Sequence, residues 1–425
     1  MKELDFSFQV KIALKRRDVH WIEGELLRLR EEIFLEVLKR ILGEIEQEAL
    51  SEGKPCKRCG VDLIRYGREE KRIRTLVGSA RILRVRLHCP GCGEDSYPLD
   101  EAIGLEGGDG TSLGVRERVL WAAIELSYEK SASFLKKFTG LEVSRQKIYN
   151  MAIDEGRRIE EWEARRRERV FGEARRIEEK PEKIPKVLYI QVDATGVNDR
   201  SSKEWMECKV GASFSQRAKV SKNRFWLIDK RTYASIENAG AFGEKFYLDC
   251  IRQGVLDAEK VYFISDGARW IKTLKNNYFP EAVGVLDIWH LEREFKRVWG
   301  REKQMVVESL KELALKGEGK EILQRLVKES AETEDPEKEE KIAEVANYVL
   351  SNLDWIENIP KVEGYGSGPV EKTVDIAVAR RFKKRGMSWY KQYANPLLKL
   401  RLLKLNGDWQ TYWNERQEQL AQYAN

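Results

Sequence analysis

Three acidic residues stand where a carboxylate is expected to do chemistry. Asp193 and Asp266 each follow an apolar run typical of a buried strand, KVLYIQV and KVYFIS. A carboxylate is costly inside a core but can lie at the rim of a sheet, where a cation neutralises it. Glu371 lies in GSGPVEK, where Pro369 predicts the start of a helix. Three such oxygen ligands at one sheet edge would suit Mg²⁺ or Mn²⁺, and two such ions can hold the oxygens of a phosphoryl transfer.

Each acid also has a simpler interpretation. Asp193 could cap a turn, and Asp266 with Gly267 could form an ordinary turn. Glu371 could favour the dipole of the helix that it begins. Taken together, the order of the strands and the neighbouring motifs favour the metal site.

A second set of residues could hold a different metal. Two C-x-x-C pairs, CKRCG and CPGCG, are each followed by glycine, and they contain Cys56, Cys59, Cys89 and Cys92. Four thiolates at this spacing favour a structural Zn²⁺. Disulfides are disfavoured in a cytosolic protein, and chance thiols are improbable at a doubled spacing. His88 could substitute as a ligand, and we interpret Cys208 and Cys250 as small core residues.

The segment between the cysteine pairs, RILRVRLH, predicts a two-faced strand. Leu83, Val85 and Leu87 are expected to point inward. Arg84 and Arg86 are expected to point outward. The cysteines and this strand together predict a zinc ribbon with a basic outer face.

Positive charge is concentrated behind Glu371. Ten Lys and Arg residues stand against one acid, Asp375, between Lys372 and Lys404. This excess predicts a surface for a polyanion, although a solvated helix face is an equally good interpretation. The residues expected to neutralise DNA phosphates are Arg380, Arg381, Lys384 and Arg385.

The motifs lie in a chain of several predicted domains. We expect a helical segment over residues 1–50, a zinc ribbon over 51–105, a helix-turn-helix over 110–160, a charged helical linker over 161–185, and a catalytic domain over 186–425 that carries a helical insertion at 295–360. The catalytic domain should contain three strands, a helix, a strand, a helix, a strand, the insertion and a final helix.

The helix-turn-helix follows from local signals. A helix over Tyr128–Phe138 is expected to end at Thr139-Gly140, and the next should begin after Ser144, a good N-cap. Its first turn carries Arg145, Gln146 and Lys147, as expected of a recognition helix that contacts DNA bases. An ordinary helical hairpin is the alternative.

Several of these segments resemble a known family. TLVGSARILRVRLHCPGCGEDSYPLD and ELSYEKSASFLKKFTGLEVSRQKIYN resemble the ribbon and the helix-turn-helix of bacterial insertion-sequence DDE transposases of the Kra-like and Lre-like groups, whose catalytic domain is related to Mutator transposases. VDATGV, SDGARW and LDIWH resemble the blocks around the first two catalytic acids and the one after. GSGPVEKTVDIAVARRFKKRGMSW resembles the third and is the most specific.

This resemblance implies a multidomain α/β protein whose catalytic domain is RNase H-like, with an all-helical insertion before the last acid. It implies that Asp193, Asp266 and Glu371 form the catalytic triad and bind two Mg²⁺ or Mn²⁺ ions. The acids are 73 and 105 residues apart. LDIWH matches a D-x-x-H signature, so Asp287 and His290 are expected to support catalysis, although His290 could equally be a satisfied buried histidine.

The resemblance implies a DNA transposase that binds element ends, cleaves a phosphodiester and transfers the strand. Its partners would be double-stranded DNA, both terminal inverted repeats and target, and we expect a homo-oligomer on DNA. A nuclease or resolvase that does not join, and a non-enzymatic DNA-binding regulator, are the alternatives.

Composition limits where such a protein acts. The chain has 425 residues, of which 35% are charged, and its mean hydropathy is −0.57. It contains no run of about 18 apolar residues and no signal-peptide pattern at its start. We therefore expect a cytoplasmic, nucleoid-associated protein with no membrane partner.

Overall fold

The chain is a mixed α/β protein made of two compact units. The computed structural model describes residues 3–53, 55–105, 109–173, 181, 183–202, 204–221, 224–300, 303–362 and 368–424. One unit is formed by Met1–Met151 with Trp409–Asn425, and the other by Ala152–Asp408. Residues 174–180 and 182 of the predicted linker, and Gly366 and Ser367 of the motif around Glu371, lie outside the described residues.

The first unit begins with a long helix that packs on a small sheet. Helix α1 (Val19–Ser51) starts at Asp18, whose carboxylate accepts the N–H of Trp21 at 3.0 Å. The segment predicted to be helical over residues 1–50 is therefore helical from Val19 onward, and its described residues before Asp18 are not helical. Strands β1 (Ile64–Thr75), β2 (Gly78–His88) and β3 (Asp95–Ser96) form an antiparallel sheet, followed by helix α2 (Pro98–Ala102). The core of this region contains Leu42, Ile73, Ala80, Ile82 and Leu99.

The predicted inward and outward faces of β2 were partly wrong. Val85 is buried as expected, but Leu83 is 56% exposed and Arg84 only 8% exposed. The Arg84 guanidinium can lie inside because it forms an ion pair with Asp100 of α2 and stacks 3.6 Å above the ring of Tyr97. A half-buried acid on the next helix thus stabilises Arg84 on the side that the alternation assigned to apolar residues.

The predicted helix-turn-helix region contains three helices, α3 (Leu113–Ala123), α4 (Tyr128–Thr139) and α5 (Arg145–Arg167). Helix α4 ends at Gly140, whose φ of 71° is left-handed, and this is the conformation that glycine adopts most easily. The Ser144 hydroxyl accepts the N–H of Lys147 at 3.3 Å and begins α5. The predicted helix ends are therefore confirmed.

The second unit is built around a mixed five-stranded sheet. Its first part contains strands β4 (Val187–Asn198), β5 (Trp205–Phe214), β6 (Gln216–Ser221), β7 (Arg224–Ile228) and β8 (Arg231–Ser235), then α6 (Ala239–Ile251), β9 (Lys260–Ser265), α7 (Arg269–Tyr278), β10 (Val283–Leu286) and α8 (Ile288–Trp299). The sheet order is β10-β9-β4-β5-β8, with β4, β9 and β10 parallel and β5 antiparallel to both of its neighbours.

Two strand predictions in this unit were wrong. Strand β4 does not end at Asp193 but continues to Asn198, because its antiparallel pairing with β5 extends beyond the end of β9. The third of the three strands expected at the start of this domain, in the segment NRFWLIDKRTYA, is instead two strands, β7 and β8. The chain turns at Asp229, where φ is 50°, so that β7 pairs with β6 in a separate two-stranded ribbon and β8 joins the main sheet.

The predicted helical insertion is confirmed, and the region after it is more complex than predicted. The insertion contains α9 (Gln304–Leu315), α10 (Gly319–Ala331), α11 (Pro336–Ser351), α12 (Leu353–Ile356) and a 3-10 turn at Ile359–Val362. The expected single final helix is instead α13 (Gly368–Val374), a π-helical segment (Asp375–Ala379), α14 (Arg380–Phe382), α15 (Lys391–Leu405) and α16 (Trp409–Ala424).

Part of the predicted basic surface lies inside the second unit. Arg381, Lys399 and Arg401 are at most 2% exposed. The Lys399 ammonium forms a 2.8 Å ion pair with Glu163. The Arg401 guanidinium donates to the carbonyl groups of the π-helical segment, at 2.6 Å to residue 376 and 3.0 Å to residue 377. These cations hold elements together instead of facing a polyanion.

In the described part of the chain, no helix combines the length and the apolar character needed to span a membrane.

The role of Arg401 can be tested directly. Arg401→Met should lower the free energy of unfolding by about 2–4 kcal/mol, because two buried carbonyl groups lose their donor. Urea unfolding followed by circular dichroism measures this loss. Lys391→Met, at the exposed start of the same helix, should change stability by less than about 0.5 kcal/mol. Equal losses in the two variants would contradict the role of Arg401.

Candidate active site and zinc site

Three aspartates are level with one another at one edge of the main sheet. Paired residues of β4 and β9 differ by 73 in number, as Gln191 and Ile264 do, and Asp193 and Asp266 differ by the same 73. Paired residues of β9 and β10 differ by 21, and so do Asp266 and Asp287. The carboxyl ends of three neighbouring parallel strands therefore bring these acids together, as the sequence predicts for Asp193 and Asp266.

The turn after β9 is held by the helical insertion. The Asp266 carboxylate accepts the N–H of Ala268 at 2.9 Å, and the Asp266 carbonyl accepts the hydroxyl of Tyr348 at 2.6 Å. Gly267 has a φ of 74°, and a Cβ there would lie 2.3 Å from the amide oxygen of Asn352. Only glycine fits such a position. Two residues of the insertion thus fix the backbone around Asp266.

Asp287 and His290 act as a pair. Asp287 is fully buried and caps α8, since its carboxylate accepts the N–H groups of Trp289 and His290 at 3.3 and 3.1 Å. His290 Nδ1 lies 2.5 Å from the same carboxylate. This hydrogen bond raises the pKa of His290 above its usual range, although burial opposes the shift. The D-x-x-H spacing thus gives a helix cap that also orients an imidazole.

The pKa of Asp193 depends on the other charged groups at this edge of the sheet. Burial raises the pKa of Asp193, the N–H of Ala194 opposes this, and the charges of Asp266 and Glu371 raise it further. The charge of His290 acts in the opposite direction. Asp193, Asp266, Glu371 and His290 therefore share one electrostatic site.

Glu371 lies in the first turn of α13, as predicted, and its side chain is exposed. Helix α13 packs against β4 and β5, which carries Glu371 to the edge that holds Asp193. Asp375, one helical turn after Glu371, forms ion pairs with two neighbouring cations. Its carboxylate contacts Lys372 at 2.9 Å and Arg380 at 3.1 Å, and these cations lower its pKa.

The acidic edge has the donor chemistry of a divalent-cation site. Its ligands are carboxylates, and the raised pKa of Asp193 means that negative charge there lacks full neutralisation. The carboxylates do not form a compact ligand cluster: among the described residues, only the four cysteines have ligand atoms close enough to share one ion. Asp193 and Asp266 instead direct one carboxylate oxygen to a backbone N–H group, of Ala194 and Ala268.

The four cysteines form a cluster that could hold one metal ion. Their sulfur atoms lie within 4.8 Å of one another. Cys56 and Cys92 approach to 3.6 Å, and Cys59 and Cys89 to 3.3 Å, close to the edge of about 3.8 Å expected for four Zn–S bonds. Burial opposes ionisation of Cys89, but N–H groups of the second turn and the Cys59 thiol lower its pKa to about 6. His88 instead binds Asp95 at 2.9 Å.

The predicted recognition helix exposes two of its three selected residues. Arg145 and Gln146 are exposed, and the Gln146 amide donates to Asn150 at 3.0 Å. Lys147 is partly buried, and its ammonium donates to the carbonyl of Asp109 at 2.9 Å. Lys147 thus helps to hold its own unit together.

Of the four residues after Glu371 that were predicted to contact phosphates, three are exposed and one is buried. Lys384 and Arg385 are exposed, and Arg380 is exposed but bound to Asp375. Arg381 is 1% exposed, with its guanidinium 5.0 Å above the ring of Trp389. The prediction of a surface contact for Arg381 was therefore wrong, because an aromatic residue of the following loop covers it.

Two residues near the acids were missed by sequence reasoning. The exposed Lys383 donates to the Thr195 hydroxyl at 2.9 Å, two residues beyond Asp193 on β4. Lys383 lies in the run of Lys and Arg residues after Glu371, so the charge pattern of the sequence could have identified it as a candidate site residue. Tyr348 holds the Asp266 turn but lies in an ordinary helical pattern, and no sequence signal indicates its contact.

Comparison with known proteins gives a family match and several relatives. The profile of the family described as "Uncharacterised protein family (UPF0236)" matches residues 18–417. A UPF0236 protein of Caldanaerobacter subterraneus subsp. tengcongensis whose name joins four loci is 25% identical over 350 residues, which cover 80% of this chain and 68% of the relative. Another from this strain, whose name joins eleven loci, is 26% identical over 350 residues with the same coverage.

A third relative is described as a UPF0236 protein in the vanSb 3′ region of Streptococcus gallolyticus. It is 25% identical over 423 residues, which cover 95% of this chain and 86% of the relative. The chain thus spans about two thirds of the length of the Caldanaerobacter relatives and most of the length of the Streptococcus relative.

The four-cysteine cluster leads to a test of metal content. The purified protein should contain about one Zn²⁺ per chain, and Cys89→Ser should lose it, because three thiolates hold the ion far less tightly. Cys208→Ala removes a buried thiol outside the cluster and should keep the zinc. Elemental analysis under reducing conditions gives the ratio, and zinc retained by Cys89→Ser would exclude this site.

The acidic edge leads to a test by thermal stability. The raised pKa of Asp193 means that the folded state holds its proton more tightly than the unfolded state, so this group lowers stability as pH rises above about 4. In EDTA, Asp193→Asn should therefore melt about 2–4 °C higher than the parent at neutral pH. The difference should vanish below about pH 4.

Added Mg²⁺ should reverse the order of the melting temperatures of the parent and Asp193→Asn. Mg²⁺ should raise the melting temperature of the parent and leave that of Asp193→Asn unchanged, because the variant lacks a charged ligand. Asp199→Asn, just beyond the end of the same strand, removes a carboxylate that is hydrogen-bonded to Ser201 and Ser202 of its own turn and should respond like the parent. An equal Mg²⁺ response in the parent and Asp193→Asn would argue against a cation at this edge.

Proposed function

The chain belongs to the UPF0236 protein family, and we propose that it is a divalent-metal-dependent DNA transposase of the DDE type. The observation that carries this proposal is the acidic edge of the main sheet. The strand register aligns Asp193 with Asp266 across 73 residues of chain, and Glu371 acts on the same group from α13. Acids that converge at the carboxyl ends of parallel strands are typical of a functional site.

The fold of the second unit supports an RNase H-like assignment. A mixed five-stranded sheet of this order, with helices between its parallel strands, is compatible with that fold. The helices between β10 and α13 separate the second acid from the third, as the family resemblance implies.

The roles of the site residues follow from their surroundings. Asp193, Asp266 and Glu371 would hold two Mg²⁺ or Mn²⁺ ions, which when bound would supply neutralising charge for phosphodiester cleavage and strand transfer. Asp287 keeps His290 oriented toward this edge and charged over a wider pH range. Lys383, Lys384 and Arg385 are exposed cations that would contact the backbone of bound DNA.

The first unit supports a role in DNA recognition. A four-cysteine cluster and a helix that exposes Arg145 and Gln146 at its start are features of DNA-binding modules. We infer that this unit would bind the element ends and that the catalytic unit would act on the adjacent phosphodiester.

The relatives support a mobile element. One relative's name joins eleven loci of a single Caldanaerobacter strain, and another joins four. One protein encoded at many loci of a genome is expected when the coding segment copies or moves itself. A structural or regulatory protein alone would not need such repetition.

Substitution of the third acid tests the proposal. DNA fragments carrying both flanks of the gene serve as substrate, with Mg²⁺ or Mn²⁺. Glu371→Gln should lose cleavage and joining by at least about 100-fold, because one charged ligand is missing. Asp375→Asn is the matched control on the same helical stretch, and it should stay active because the Asp375 carboxylate is already neutralised by Lys372 and Arg380.

The outcomes separate the alternatives. Cleavage without joining in the parent would favour a nuclease or resolvase. Specific binding with no cleavage in either metal would favour a regulator. Full activity of Glu371→Gln would leave Glu371 as a helix-dipole charge and remove it from the site.

A further inference from the structure

Strands β6 and β7 form a two-stranded ribbon that extends beyond the main sheet of the second unit. Ser213 of β5 pairs with Arg231 of β8. Gln216 of β6 pairs with Ile228 of β7 in the same register. The ribbon is therefore a continuation of the antiparallel pair formed by β5 and β8, carried past the point where the five-stranded sheet ends.

The ribbon lies at the end of the sheet opposite the acidic edge. Asp193 of β4 pairs with Val210 of β5, and Tyr189 near the other end of β4 pairs with Phe214. The ribbon begins after Phe214, so that its first residue is about 20 Å from Val210 along the strand. It is thus a surface separate from the three acids and from the basic run after Glu371.

The ribbon carries positive charge without negative charge. Residues 216–228 contain four Lys or Arg residues and no Asp or Glu, although the whole chain has 77 basic and 71 acidic residues. The exposed Lys219 forms no ion pair within the described part of the chain. The Arg217 guanidinium lies 3.6 Å from the centre of the Phe225 ring. The ribbon therefore presents cations that its own strands do not neutralise, as an anionic partner requires.

Large apolar side chains stand uncovered among these cations. Val220, Phe225 and Trp226 are 59%, 40% and 62% exposed. Phe225 lies opposite Lys219 in the ladder, so the two share one face, and Trp226 lies on the other face. Cations neutralise the phosphates of DNA, and apolar groups can contact thymine methyl groups in the major groove. The combination favours DNA over a purely ionic partner.

A cleft at the base of the ribbon continues the basic surface. The cleft has a volume of 620 Å³, and its wall joins cations to the base of the ribbon: Lys183, Lys186, Arg252, Gln216 and Asp229. Lys186 and Arg252 form no ion pair with any residue that the structure describes. Another acid in the wall, Asp408, is already neutralised by Arg231. A concave wall with such cations concentrates positive potential and attracts an anion.

We propose that the ribbon and the cleft at its base bind double-stranded DNA, with the ribbon in the major groove and the cleft cations on the adjoining phosphates. The major groove of B-form DNA is wide enough to admit a two-stranded β-ribbon. The identity of the occupant rests on the proposed function. The surface gives the second unit a hold on DNA away from the acidic edge, so the two can be tested separately.

Two exposed lysines, one in the cleft and one on the ribbon, provide the test. Affinity for a fluorescently labelled DNA duplex of about three helical turns is measured by anisotropy over a series of salt concentrations. Lys186→Gln with Lys219→Gln should flatten the slope of log affinity against log salt by about two units, because two phosphate contacts are lost. The matched control, Lys320→Gln with Lys328→Gln, removes the same charge from exposed positions of α10 and should keep the slope of the parent.

The apolar part of the surface has a different signature. Trp226→Ala should weaken binding by about 10-fold at every salt concentration and leave the slope unchanged, because the contact of the ring is not ionic. The circular dichroism spectrum and the melting temperature should be unchanged in all three variants, since the substituted side chains are exposed.

The outcomes separate this inference from the proposed activity. A parent that binds the duplex through Lys186 and Lys219 but does not cleave DNA would support the ribbon and overturn the transposase. A parent that cleaves, with Lys186→Gln and Lys219→Gln leaving the slope unchanged, would overturn the ribbon alone. A parent that binds no duplex would overturn both. If Trp226→Ala abolished self-association in sedimentation velocity and left DNA affinity unchanged, the occupant would be a second copy of the chain and not DNA.

Discussion

The pairing of β4 is the constraint on which the acidic edge of the second unit depends. Its parallel ladder with β9 ends at Gln191, while its antiparallel ladder with β5 continues to Asn198. The last part of β4 is therefore paired on one side only. Asp193 lies near the start of this open side, and further along it the carbonyl of Asn198 accepts the N–H of Trp389. A shift of one residue in this register would turn Asp193 to the opposite face of the sheet.

Neighbouring acids at this edge differ in how their charge is compensated. Asp287 has a helix N-terminus and an imidazole, and Asp375 has two cations. Asp193 has one backbone N–H and the repulsion of two other acids. Fully compensated carboxylates hold structure together, whereas under-compensated ones keep affinity for an external cation. The contrast between Asp193 and Asp375 is therefore a physical reason to assign them different roles.

Sequence reasoning succeeded where the signal was local. Apolar runs predicted the strands before Asp193 and Asp266, Ser144 and Gly140 predicted helix ends, and the cysteine spacing predicted that the four cysteines cluster. It failed where the burial of a side chain depends on a partner that is distant in the sequence. Arg84 and Lys399 are buried because Asp100 and Glu163 meet them inside the fold. A count of charge along the chain cannot distinguish such cations from exposed ones such as Lys384.

The position of Glu371 in the chain also has a consequence for biosynthesis. Synthesis proceeds from the N-terminus, and domains fold as units as they emerge. Strands β4, β9 and β10 can pair as soon as residue 286 has emerged, but the third acid belongs to a helix that begins at Gly368. Because contacts between distant parts of the chain form slowly, the acidic edge is completed late. A nascent or prematurely terminated chain thus carries the four cysteines, Asp193 and Asp266 without Glu371, and under the proposed function it would occupy DNA without being able to cut it.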